Sequence, residues 1–152
     1  MTQTMNILLA DDDKDDCLFF SDILSTLSED TSLTIVKDGE QLISQLAKNV
    51  ENLPEVLFLD LNMPKKNGYD CLAEIKSHAS MNKIPVIIFS TSYDEEKANQ
   101  LYDNGAHYYI CKPTNFRELQ SAVQKALQLL QKSDARPPRQ DFLITKLKTI
   151  LR

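Results

Sequence analysis

The sequence predicts one α/β domain: a five-stranded, doubly wound parallel sheet with helices on both faces. Three observations lead there. Strand-like and helix-like segments alternate five times between Met5 and Lys132. The runs Met5–Ala10, Val56–Leu59 and Val86–Phe89 are apolar throughout, as strands covered on both faces must be. The segments between them repeat their apolar residues at helical spacing. A chain of 152 residues, 42% hydrophobic and 26% charged, has enough material for one such core.

MNILLA, Met5 to Ala10, is the first strand. Asp15 to Leu27 follows as a helix with Phe19, Phe20, Ile23, Leu24 and Leu27 on one stripe. Leu33 to Val36 is β-rich and closes on the turn signal Asp38-Gly39. Glu40 to Asn49 sets Leu42, Ile43, Leu46 and Ala47 on one helical face. Pro54 precedes the strand Glu55 to Asp60, and Gly68 to His78 reads as a helix with Cys71, Leu72 and Ile75 inward. Pro85 introduces VIIFS. The helix Asp94 to Asn104 stops at Gly105, a glycine where helices commonly end. Ser92 with Glu95 has the spacing of a capping box at its start. His107 to Cys111 is the fifth strand. Thr114 is the expected cap of a last helix to about Lys132, with Phe116, Leu119, Val123, Leu127 and Leu130 as its stripe.

The organisation is thus a domain over 5–132, a polar linker over 133–140 (SDARPPRQ) and a short basic amphipathic segment over 141–152. Phe142, Leu143, Leu147, Ile150 and Leu151 form an apolar stripe in that segment. It is read either as a helix folded back on the domain or as a dimer or partner contact. No output domain is expected in so short a tail.

Composition excludes several functions. A net charge of -5 argues against a nucleic-acid surface. No apolar run approaches the roughly 20 residues of a membrane span, and the start MTQTMNILLADDD does not resemble a signal peptide. A cytoplasmic protein is expected. Cys17, Cys71 and Cys111 lie far apart with no CxxC pair, so reduced, at least partly buried thiols are expected.

In an open α/β sheet the site lies beyond the C-terminal strand ends. That rule brings together Asp11, Asp12 and Asp13, then Asp60, then Ser90-Thr91, then Lys112. Clustered carboxylates repel by about 4 kcal/mol per close pair, a cost relieved by protonation or by a hard divalent cation. A carboxylate beside a metal, a lysine and a hydroxyl suits phosphoryl transfer onto Asp60. Other readings fit poorly. As a calcium loop, DDDKDD would need glycine where Asp16 stands and glutamate where Asp22 stands. As a Walker B strand, VLFLDL has no GxxxxGK[ST] to serve. In a dehalogenase-type phosphatase, Asn62 would have to be an acid.

LLADDD, FLDLNMPKKNGYD, IIFSTS and YYICKP, in this order and spacing, resemble the receiver domain of two-component response regulators, over roughly Asn6 to Lys132. The match is nearest to stand-alone receivers, including those paired with phytochrome-type kinases. The resemblance implies a (βα)5 flavodoxin-like fold with strand order 2-1-3-4-5. It implies Asp60 as phosphoacceptor, with Asp12, Asp60 and the carbonyl of Asn62 on Mg²⁺ and Asp11 assisting through water. It implies Ser90 and Lys112 as groups that contact the phosphoryl, Ser90 and Tyr109 as switch residues, and a Lys112-Pro113 bond that is commonly cis. The expected partners are a sensor histidine kinase or a phosphotransfer protein, then a downstream protein, with a homodimer as an option. The chain would catalyse only its own phosphorylation and dephosphorylation. The competing reading is a phosphate-independent scaffold or dimerisation module.

Overall fold

The computed structural model describes residues 4–27 and 30–145. Five parallel strands form one sheet in the order β2-β1-β3-β4-β5. They are β1 (Met5–Ala10), β2 (Thr31–Val36), β3 (Val56–Leu59), β4 (Val86–Ser90) and β5 (Tyr108–Cys111). The helices between and after them are α1 (Lys14–Thr26), α2 (Gly39–Lys48), α3 (Gly68–Ser77), α4 (Glu95–Asp103) and α5 (Phe116–Lys132). The expected flavodoxin-like fold and strand order are what the structure has.

Apolar strands fill two cores because side chains alternate across the sheet. Leu8, Leu57, Leu59, Ile88 and Tyr109 face α2, α3 and α4. Ile7, Leu9, Phe58, Phe89 and Tyr108 face α1 and α5. Phe20 of α1 lies edge-on to Phe58 and Phe89, with ring centroids 4.8 and 5.5 Å away. The register aligns the ends: Ala10 pairs with Leu59, and Ser90 with Cys111.

Several helix starts sit a residue or two from where the sequence suggested. Asn115, not Thr114, caps α5, accepting from the N–H groups of Arg117 and Glu118. Asp94, not Ser92, caps α4. Phe19 and Phe116 are not core residues: they are 46% and 40% exposed and pair edge-on with each other. They line a cavity with Asp16, Thr91 and Lys112, beyond the C-terminal ends of the strands. Lys112-Pro113 is trans; no cis peptide occurs among the described residues. All three cysteines are free and buried.

Gly105 has φ +106°, the left-handed conformation that ends α4. Beyond α5 the chain turns back toward α4. Arg139–Asp141 form a short 3-10 turn, and Leu143 then bridges to Tyr109 in parallel. Over its described residues the tail forms no α-helix: Phe142 still has helical dihedrals, φ -65° and ψ -43°, and Leu143 makes an isolated bridge. Leu147, Ile150 and Leu151 lie outside the described residues.

Candidate functional site

The site is set by backbone ladders that run one residue beyond the strands. The N–H of Asp11 donates to Val36, that of Asp60 to Ala10, and that of Lys112 to Ser90, at 3.0, 2.9 and 2.8 Å. Each side chain therefore leaves the sheet from a fixed point. The loop after Asp60 returns across the site, and Gly68 N–H donates to the Leu61 carbonyl at 2.9 Å. A Cβ at Gly68 would lie 2.3 Å from the Asp60 carbonyl oxygen, so only glycine lets α3 start this close.

Asp11, Asp12 and Asp60 each present a carboxylate oxygen within 4.8 Å of the other two. Asp11 and Asp60 are buried, and Asp12 opens to solvent. Lys112 Nζ lies 2.6 Å from Asp11, 2.8 Å from Asp16 and 4.0 Å from Asp60. Three carboxylates thus surround one ammonium, and Asp12 stands beside two of them. Burial pushes the Asp60 carboxyl up to about 6, Lys112 pulls against that rise, and the Asp11 charge adds to it. The N–H groups of Leu61 and Asn62 also favour the Asp60 carboxylate. Burial likewise raises Asp11. For Lys112, burial favours loss of the proton, but the hydrogen bonds to Asp11 and Asp16 outweigh it and the group is held above the usual lysine range. All the donors are hard oxygens, one is solvent-facing, and negative charge is in excess. These are the conditions for a small divalent cation.

Ser90 is fully buried at the end of β4, and the Ser92 N–H donates to its Oγ at 3.3 Å. Tyr109 is 2% exposed, and its hydroxyl donates to the Ser92 carbonyl. Ser90 and Tyr109 therefore meet at one loop. Asn62 sits two residues past Asp60 with its side chain in solvent.

Sequence reasoning left out Asp16, taking it as a solvated helix-start acid. It lies in the first turn of α1 and closes on Lys112. Asp12 precedes the helix and its cap, Asp13, so no helical spacing linked the two acids.

A family model for the response regulator receiver domain matches residues 7–124. The chain belongs to the response regulator receiver family. Response regulator Rcp1 of Synechocystis sp. is 34% identical over 122 residues, covering 78% of this chain and 83% of that one. The crystal structure of the Mn²⁺-bound form of Rcp1 superposes with a TM-score of 0.77 at 31% identity, covering 88% of this chain and 99% of that one. The phosphorylated cyanobacterial phytochrome response regulator RcpA superposes with a TM-score of 0.76 at 31% identity, covering 90% and 99%. Receiver proteins of this family are signalling proteins rather than conventional enzymes. Among the described residues no helix is long and apolar enough to cross a membrane.

Proposed function

We propose that this protein is a phosphorylation-dependent switch or relay that accepts a phosphoryl group on Asp60. The observation that carries this reading is the Asp60 carboxylate, fixed at a strand end, with an ammonium 4.0 Å away and two further acids beside it. With its pKa near 6, Asp60 is mostly ionised at neutral pH and competent as a nucleophile. A carboxylate oxygen attacks phosphorus, and the bond from phosphorus to the donor breaks. An acyl phosphate forms, and the electron pair leaves with the donor group, a histidine imidazole in a kinase or phosphotransfer protein.

Lys112 sits where it can pair with the incoming equatorial oxygens, by exchanging its contact with Asp11. Ser90 can donate its hydroxyl to one of them. Asp11, Asp12, Asp60 and the backbone of Asn62 would hold Mg²⁺, which would offset the charge gathered between acids and phosphoryl oxygens. The RcpA likeness favours a phytochrome-type kinase as donor. Beside the site, Leu18, Phe19 and Phe116 form an exposed apolar rim, a surface for such a protein.

The test is intact mass after incubation with Mg²⁺ and acetyl phosphate. A gain of ~80 Da in the wild type, absent in Asp60→Asn, is expected. An unchanged wild-type mass, with no Mg²⁺ binding by calorimetry, would overturn the reading in favour of a scaffold.

A further inference from the structure

β5 is the last strand of the sheet, and its outer edge would be left with unpaired backbone groups. This chain covers part of that edge with its own tail. Tyr109 N–H donates to the Phe142 carbonyl, and Ile144 N–H donates to the Tyr109 carbonyl, both at 2.9 Å. Between these bonds Phe142 is fully buried, 5.4 Å from the Tyr102 ring and 6.0 Å from the Tyr109 ring. The approach to this seat is also fixed. Arg136 stacks over Tyr102 at 4.1 Å, the Tyr102 hydroxyl donates to the Pro137 carbonyl at 2.7 Å, and Arg139 donates to Asn99 at 2.6 Å.

Backbone pairing along a sheet edge with one aromatic anchor in a pocket is how extended peptides are recognised by strand addition. Here both parts are supplied within one chain. The two prolines, Pro137 and Pro138, reduce the entropy lost when the segment seats. The seat combines two edge hydrogen bonds, the buried Phe142 side chain and the contacts of Arg136, Pro137 and Arg139, all on one flank of the sheet, so it is a local closure at that edge.

We propose that the β5 edge and the pocket between Tyr102 and Tyr109 form a docking groove for an extended segment with one aromatic anchor, held in cis by an exchangeable strap, Pro137–Ile144. Phe142 backs the Tyr109 ring from outside while the Tyr109 hydroxyl is tied to Ser92 inside. Any protein that uses this edge must first displace the strap. This stands apart from the phosphoacceptor reading, since neither Asp60 nor a cation takes part.

The experiment uses the full chain and its Phe142→Ala variant, with a labelled peptide of residues 133–152 followed by fluorescence anisotropy. Amide exchange at Tyr109 is read in parallel by NMR. A tethered strap competes at an effective concentration near millimolar, so the peptide should bind the variant at least about ten-fold more tightly than the wild type. Tyr109 amide exchange should rise at least about ten-fold in the variant and fall again when peptide is added. Amides of β1 and β3 should stay unchanged, which shows that the fold is intact. Ile144→Pro, which removes the donor to the Tyr109 carbonyl and leaves Phe142 in place, should speed Tyr109 exchange in the same direction. Equal peptide binding by wild type and variant, or Tyr109 exchange indifferent to both substitutions, would overturn the proposal. So would isotope-filtered contacts placing Phe142 of one copy on Tyr109 of another, because the strap would then be exchanged between chains.

Discussion

Asp60 illustrates how one residue can be costly to the fold and useful to the site. Its carboxyl titrates near 6 against about 4 in an unfolded chain, so between those values the folded state holds more protons than the unfolded state. This group's contribution to stability therefore falls as pH rises from about 4 to about 6, and the loss is complete above that range. Urea unfolding in chelator should find Asp60→Asn more stable than wild type at pH 7 by about 3 kcal/mol, with the gap closing by about pH 4. A gap independent of pH would show that Asp60 is not ionised at a cost. Adding Mg²⁺ should raise the wild-type melting temperature and leave the variant nearly unmoved. At this scale Asp11, Asp12, Asp60, Ser90 and Lys112 were legible because each stands at the end of an apolar run. Asp16 was not, because an acid in the first turn of a helix already has an ordinary explanation in the helix dipole.

Among the elements, the parallel sheet was the most legible part, since strands buried on both faces leave an unbroken apolar run. Helix caps shifted by a residue or two because Thr114 and Asn115, or Ser92 and Asp94, are chemically equivalent as caps and only loop geometry chooses between them. The loop from Asp60 to α3 depends on a single glycine. Gly68→Ala would drive a methyl into the Asp60 carbonyl region and should cost more than about 3 kcal/mol in denaturant unfolding. It should also slow phosphorylation by acetyl phosphate, since the loop over the acceptor must move. A variant that unfolds at the wild-type midpoint would mean that α3 starts further from the strand end than the structure has it.

For the whole molecule, two surfaces escape sequence reading, both for want of information about neighbours. Phe19 and Phe116 have the spacing of core residues, but they line a cavity beyond the C-terminal ends of the strands. If that rim receives a phosphodonor protein, Leu18→Glu should slow transfer from the cognate kinase at least about ten-fold and leave the reaction with acetyl phosphate within about two-fold. Equal slowing of both donors would place the effect in the site itself. The tail has helical spacing, yet Leu143 bridges the open side of β5, because periodicity within a segment carries no information about a waiting edge. The grouping of aromatic side chains there has a practical consequence. The protein has no tryptophan and five tyrosines, of which Tyr93, Tyr102 and Tyr109 gather around α4 and β5 within one to two ring widths of one another or of Phe142. Excited near 280 nm, the unlabelled protein emits from tyrosine alone, so its intrinsic fluorescence is an optical gauge weighted toward that single flank of the molecule.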